Sequence, residues 1–372
     1  MALVVDSLAV GGGERHTISL FNHLNPKKFE LGLIYLKKNE SLLSEVDRSR
    51  GPVWCADFGR GWDRKGLIRL SKWLNEYKPR VLVAVNAYPL FYSFIASRLI
   101  SPKPLIAEIY HTGTCYFKEA IKMHLIYRWF FNASDQIIYV SDFQKRFWMA
   151  RGFFGRKNIR IYNGIDTLHF TDRMTSEEKN ELRTKLNLNN RNIDILAGFC
   201  ATMRPEKCHL KILKAQKIAK DQGMPFKLLM IGDGPMRPHV ERAINDWGLT
   251  NDVRITGFVL DVRPYLSICD CLIVNSERVE NLSLSVLEAM SMGKPVIASD
   301  IGAIREQIQH GSEGYIFKTG STDELLQCLS KIRNENTREK LGKNAKEKIF
   351  RMFDLKRMIN EYEKTFCNMV GA

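Results

Sequence analysis

The sequence predicts an α/β molecule built from two Rossmann-like β/α/β domains facing an interdomain cleft. Three observations carry that expectation. Short apolar runs alternate with segments of helical spacing, the pattern of a parallel sheet covered on both faces. The alternation runs once as far as residue 140 and restarts near residue 193. The 372 residues leave room for about two domains of roughly 150 residues each.

The elements follow in order. LVVD (3–6) is a short apolar strand that leads into a glycine-rich turn. LGLIYL (31–36), VLVAV (81–85), PLIAEIY (104–110) and QIIYV (136–140) have the apolar continuity of buried strands. Helical spacing lies between them, as at 64–77 and 89–100. The second series is IDILAGF (193–199), FKLLMIG (226–232), VRITGF (253–258), CLIVN (271–275) and PVIAS (295–299), with helices expected over 207–222, 235–247 and 283–292. The junction is expected within 164–192, where NGID (163–166) reads as a turn and a polar, partly helical stretch follows. The charged tail, 335–368, carries apolar residues every three or four positions and predicts one long helix. These signals give a first domain over 1–165, a second over 166–352, and a C-terminal helix of about 353–372 packing back on the first. Open parallel sheets bind ligands beyond the carboxyl ends of their strands, so the chemistry is expected on the strand-to-helix loops.

Apolar residues make up 45% and charged residues 26% of the chain, which excludes a disordered, collagen-like or disulfide-stapled protein. No run reaches the roughly 18 apolar residues of a membrane-spanning helix. The start, MALVVDSLAVGGGER, lacks a basic leader and a cleavage site, so a cytoplasmic location is expected. The eight cysteines are scattered. Cys269 and Cys271, in SICDCLIV, are expected in one strand as neutral buried thiols rather than as metal ligands or a disulfide. Residues 1–165 carry 25 Lys and Arg against 13 Asp and Glu, and residues 166–372 carry 31 against 28. The first half is therefore the basic half, suited to anionic lipid, nucleic acid or phosphorylated substrates, or simply solvated.

Four loops hold the candidate site residues. AVGGGERH (9–16) sets Gly11, Gly12 and Gly13 between a strand and a helix. Glycines there permit positive φ and close backbone approach, and the helix N-terminus offers N–H groups to a phosphate. A plain tight turn uses the same residues. MRPEKCH (203–209) places Arg204 and Lys207 at a helix start, two cations suited to a diphosphate, or a solvated start with Pro205 near the first helical position. MIGDGP (230–235) marks a sharp turn, with turn chemistry alone or with backbone close to a nucleotide base. The most specific block is SERVENLSLSVLEAMSMGKPVIASDIGAIRE (276–306). Glu280 precedes Asn281, Leu282 and Ser283, and Glu288 lies on the helix that follows. Their separation is slightly over two helical turns, so a helix beginning near Ser283 puts both carboxylates on one cleft. Amides near Leu282, Ser283 and Leu284 then suit phosphate oxygens. One carboxylate would grip sugar hydroxyls and the other a ribose diol. Taken alone, the same residues also read as one loop charge and one exposed helix charge.

Together these blocks resemble the retaining glycosyltransferases of family 4, which have the GT-B fold. The resemblance covers nearly the whole chain: GGGER, His111 after PLIAEIY, VSDFQKRF, IYNGID, RPEK, GDGP, and Glu280 and Glu288 ahead of EAMSMGKPVIASDIG. It implies that the first domain binds the acceptor and the second a nucleotide-sugar donor, in the first instance a UDP-sugar. It implies Gly12 and Gly13 against the donor phosphates or the reacting sugar, and His111 beside the transferred sugar. Arg204 and Lys207 would neutralise the diphosphate, Glu280 would contact the sugar, and Glu288 the ribose. One departure stands out: the family's usual Arg, four positions before the Glu-Lys pair, is Thr202 here, so Arg204 would have to substitute from two residues on.

The expected reaction moves a glycosyl unit from a nucleoside diphosphate to a hydroxyl with retention, and its main electrostatic task is the charge growing on the leaving diphosphate. No Asp-x-Asp occurs in the chain, so metal-independent transfer with no cofactor is expected. No nucleophile for double displacement stands out, which favours same-face attack. For the acceptor, residues 116–131 alternate cations with large aromatics, and residues 143–160 do so more strongly. Phe143, Phe147, Trp148, Phe153 and Phe154 lie among Lys145, Arg146, Arg151, Arg156 and Lys157. This fits interfacial helices on an anionic membrane, or aromatics filling the first domain's core. The membrane reading gives a peripheral enzyme at the cytoplasmic face, acting on a lipid-linked or polysaccharide acceptor in surface-glycan biosynthesis. The alternatives are a nucleotide-sugar epimerase of the same fold and a transferase to a small soluble acceptor. A nucleic-acid partner is not expected, because no recognised module is present and carboxylates line the expected cleft.

Overall fold

The computed structural model describes residues 1–59, 61–112, 117–189, 195–278 and 280–371. The chain divides into two compact units, Met1–Asn163 with Lys356–Ala372, and Gly164–Leu355. In the first, seven parallel strands are β1 (Ala2–Val5), β2 (Gly32–Tyr35), β3 (Val53–Cys55), β4 (Val81–Val85), β5 (Leu105–Tyr110), β6 (Gln136–Tyr139) and β7 (Lys157–Arg160), in the order β3-β2-β1-β4-β5-β6-β7. Val4 of β1 lies between Ile34 of β2 and Ala84 of β4, where the strand order reverses. In the second, six parallel strands are β8 (Leu196–Cys200), β9 (Lys227–Ile231), β10 (Val253–Ile255), β11 (Cys271–Val274), β12 (Val296–Ser299) and β13 (Gly314–Phe317), in the order β10-β9-β8-β11-β12-β13. Its reversal falls between β8 and β11. These are two Rossmann-like sheets of the same winding.

The central strands are apolar because both their faces are covered. All five residues of β4 are buried, as are all five of β9. One core of the first unit packs Val4, Ile34, Leu70, Leu74 and Tyr92, and another packs Ile106, Tyr110, Phe131, Trp148 and Phe153. Each such side chain stabilises the fold by about 1.5–3 kcal/mol relative to exposure. The strands outside the expected set sit at the edges. β3 is three half-buried residues, and β7, KNIR, has one apolar residue. Edge strands face water along one side and need no apolar run. β13 is the opposite edge of the second sheet.

Two further expectations are corrected. The tail is two helices, Glu335–Met352 and Leu355–Val370, rather than one over 335–368, and the second agrees with the C-terminal helix expected over about 353–372. The break has a cause: the Ile165 N–H donates to Phe353 O at 2.8 Å, and the Leu355 N–H donates to Ile165 O at 3.0 Å. Cys269 caps the helix Arg263–Ile268 instead of sharing a strand with Cys271, which opens β11. Both are free buried thiols, and burial pushes Cys269 up to about 12. Among the described residues no helix is long and apolar enough to cross a membrane.

Candidate functional site

In the first unit the candidate residues gather at the carboxyl ends of β1, β4 and β5. The helix Gly12–His23 starts directly after Gly11, whose φ of −169° is extended backbone. The glycines there do not serve a left-handed turn, contrary to one use expected of them. A Cβ on Gly13 would lie 3.4 Å from Asn86 Nδ2 and 3.4 Å from His111 Cδ2, in van der Waals contact with both, so Gly13 sits against these two side chains. The His111 N–H donates to Asn86 Oδ1 at 2.9 Å. The two carbonyls flanking His111 are also held. Gln144 Nε2 donates to Tyr110 O at 2.7 Å and to Thr112 O at 2.9 Å, and Trp148 Nε1 donates to Thr112 O at 3.0 Å. Gln144 is itself fixed, since its Oε1 accepts from Val140 N–H at 2.9 Å and its helix is capped by Ser141. Burial lowers the His111 imidazole to about 4, so the ring is neutral at neutral pH.

In the second unit the loops after β8, β9, β11 and β12 converge. Lys207 ends the short turn Pro205–Lys207, and its Nζ lies 2.7 Å from Glu280 Oε2 and 3.4 Å from Ser276 Oγ. The Ser276 hydroxyl donates to the same carboxylate oxygen at 2.5 Å. Glu280 is only 6% exposed, and a polar side chain at that depth needs partners such as these. Its backbone is fixed as well. Gly302 has φ +61°, and a Cβ there would fall 1.7 Å from Glu280 O, while the Ala303 N–H donates to that oxygen at 3.3 Å. Arg204 is exposed and makes no ion pair with any described residue. The glycines of GDGP serve close approach: a Cβ on Gly234 would lie 2.7 Å from Met203 O, and the Met203 N–H donates to Asp233 O at 2.9 Å.

The helix after the loop is Leu284–Ser291, with Glu288 half-buried on it. Asn281 is half-buried, Leu282 buried, and Leu284 opens the first turn. The Ser283 amide is not available to a phosphate as expected: it donates to Gln307 Oε1 at 2.9 Å, and Gln307 Nε2 donates back to Ser283 O at 2.8 Å. No three His, Cys, Asp or Glu side chains among the described residues gather as metal ligands.

The Glycosyltransferase Family 4 model matches residues 10–168, and the Glycosyl transferases group 1 model matches residues 178–348. The chain belongs to the family 4 glycosyltransferases. This glycosyltransferase is 22% identical over 373 residues to the Escherichia coli UDP-Gal:alpha-D-GlcNAc-diphosphoundecaprenol alpha-1,3-galactosyltransferase, covering 97% of this chain and 95% of that one. It is 29% identical over 145 residues to N-acetyl-alpha-D-glucosaminyl L-malate synthase of Bacillus anthracis, a match spanning 39% of this chain and only 38% of that relative's length. The crystal structure of Anabaena HepE in complex with UDP and glucose superposes with a TM-score of 0.84 at 19% identity over 98% of both chains. That likeness establishes the GT-B fold.

In this glycosyltransferase the core-filling reading of residues 143–160 describes most of their aromatics. Trp148 and Phe153 are fully buried and Phe147 is partly buried in the core, leaving Phe154 exposed. An exposed apolar stripe lies within the other expected segment, 116–131: Ile121, Leu125 at 78% and Trp129 at 61%, spaced four residues apart. Exposed Lys122 and Arg128 flank it, and Arg98 lies over the Phe94 ring that Trp129 also touches. Sequence reasoning also missed His16, Asn86, Gln144, Ser276 and Gln307. Of these, Gln144 lies inside the recognised VSDFQKRF block, which was a signal. His16 closes the AVGGGERH block and Ser276 opens the 276–306 block, whereas Asn86 and Gln307 declare themselves only by contact.

Proposed function

We propose that this protein transfers a sugar from a UDP-sugar to a hydroxyl of a lipid-linked or polysaccharide acceptor, with retention, at the cytoplasmic face of a membrane. The observation that carries the proposal is the Lys207–Glu280 pair, a buried carboxylate held by a cation at the carboxyl ends of the second sheet. Lys207 has three N–H donors, so it can hold Glu280 and a diphosphate oxygen together. Arg204, unpaired among the described residues, supplies a second cation in place of the arginine missing at Thr202. The helix beginning at Leu284 adds the positive end of its dipole. Glu280 is assigned to sugar hydroxyls, with Asn281 and Leu282 beside it, and Glu288 to the ribose diol. Gly12, Gly13 and the neutral His111 are assigned to the reacting sugar.

In the proposed step the acceptor oxygen bonds the anomeric carbon on the face that the diphosphate leaves. The acceptor proton passes to the departing phosphate oxygen, so no enzyme nucleophile is consumed. The charge on the diphosphate is met by Lys207, Arg204 and helix amides, which makes a metal unnecessary. The Escherichia coli relative, a UDP-galactose enzyme acting on a diphosphoundecaprenol acceptor, supports this choice of donor and acceptor class.

The test is a thermal-shift panel of UDP-, GDP- and ADP-sugars, followed by turnover of the best donor with and without lipid extract, before and after EDTA. Lipid-dependent release of UDP that survives EDTA supports the reading. Epimerised donor without acceptor, or transfer to a small acid with no lipid requirement, replaces the acceptor assignment. Activity lost to EDTA and restored by Mg²⁺ removes the metal-free step.

A further inference from the structure

Three rings meet inside the first unit. His16 follows the glycine loop by one helical turn and is 4% exposed, a costly place for an imidazole unless it is neutral and partnered. Its Nε2 lies 3.0 Å from the hydroxyl of Tyr362, which is fully buried and 346 residues further along the chain. The His16 ring meets the His111 ring at 4.7 Å between centroids and 65°, and the Tyr362 ring at 5.4 Å and 60°. We infer that His16 and Tyr362 are positioning residues for His111, so that the C-terminal helix sets the orientation of that imidazole during transfer. The inference rests on the role proposed above for His111.

The chemistry of the contact is that of neutral groups. Burial, then the adjacent His111, holds His16 well below the usual histidine range, and burial holds the Tyr362 phenol well above its own. A neutral imidazole nitrogen and a phenol hydroxyl satisfy each other where water has no access, and the bond fixes the rotation of the His16 ring. The His111 backbone is already held by Asn86, Gln144 and Trp148. Its ring packs against Gly13 and against the edge contact with His16. Of these supports, the His16 contact alone runs back to the C-terminal helix. That helix is anchored on the same unit by Glu363, which accepts from Asn25 N–H at 2.9 Å and pairs with Lys28 at 2.8 Å, and by the edge contact of Phe366 with Phe29. Tyr362 is therefore held at both ends, by its helix and by His16.

The test uses the full chain with the donor identified by the panel above, and the variants Tyr362→Phe, His16→Phe, His111→Ala and Tyr362→Phe/His111→Ala. Tyr362→Phe keeps the ring and removes only the hydroxyl. We expect kcat to fall about five- to tenfold in Tyr362→Phe and in His16→Phe, with donor KM and the UDP-induced thermal shift unmoved. The imidazole resonances of His111 should shift in both. In the His111→Ala background, Tyr362→Phe should change the residual rate no further, as coupled residues require. Wild-type kcat in both single variants, unchanged His111 resonances, or an equal loss with and without His111 overturns the inference and leaves the reading of His111 standing. Full activity in His111→Ala overturns that reading instead.

Discussion

Lys207 and Glu280 are 73 residues apart in the chain and 2.7 Å apart in space. Removing the cation leaves the buried carboxylate with the Ser276 hydroxyl as its side-chain partner among the described residues, so Lys207→Met should cost about 3 kcal/mol of stability as well as transfer. Glu280→Gln keeps the shape and should abolish transfer while UDP still binds. Glu288→Ala should weaken UDP binding itself. Calorimetry with UDP separates the two, and the reverse pattern exchanges their roles. A second residue makes a prediction about pH. Glu108, in the middle of β5, is fully buried, and both its carboxylate oxygens lack a hydrogen-bond partner among the described residues. Burial raises its carboxyl well above the usual range, so it is protonated in the fold when it would be ionised in the unfolded chain. The folded state then binds the extra proton, and the contribution to stability falls as pH rises above the ordinary glutamate value. Glu108→Gln removes that dependence. Melting curves should show a gain of roughly 3 °C at pH 8 and little change near pH 4.5. A gain that is the same at both values contradicts a protonated Glu108.

The loop carrying Glu280 is shaped by elements that follow it. Gly302 allows the chain after β12 to pass against Glu280 O, and no side chain fits there. Gly302→Ala meets both that carbonyl and an unfavourable φ of +61°, so it should cost about 1–3 kcal/mol and lower kcat more than tenfold. Normal kcat in this variant would show that the loop tolerates displacement. The buried strands β1, β4, β5, β9 and β12 announce themselves because two covered faces require unbroken apolar runs. The three-residue β3 and the polar β7 do not, because an edge strand needs no such run. The tail reads as one helix because its periodicity continues through Phe353, whereas the break depends on Ile165 taking the backbone groups there. Glu280, Glu288 and Lys207 were legible through the recognised blocks. The occupation of the Ser283 amide by Gln307 was not, since nothing local marks a glutamine 24 residues away as its partner.

At the scale of the molecule, charge and exposed apolar surface coincide in the first unit. The excess of cations lies in residues 1–165, and the Ile121, Leu125 and Trp129 stripe is bordered by Lys122, Arg128 and Arg98. Each cation near an anionic membrane contributes about 1 kcal/mol of attraction, and the stripe adds apolar contact. The protein should float with phosphatidylglycerol vesicles at low salt, and Leu125→Asp/Trp129→Asp should remain at the bottom of the gradient. Failure of the wild type to float removes the membrane from the account. The central claim is donor chemistry organised by the second unit. Its most direct measurement is the initial rate of UDP release from the best UDP-sugar with lipid extract, in the wild type and in Glu280→Gln, alongside UDP affinity for both. The account predicts turnover in the wild type and none in the variant, with UDP affinity within about threefold. Equal rates in the two proteins would contradict it.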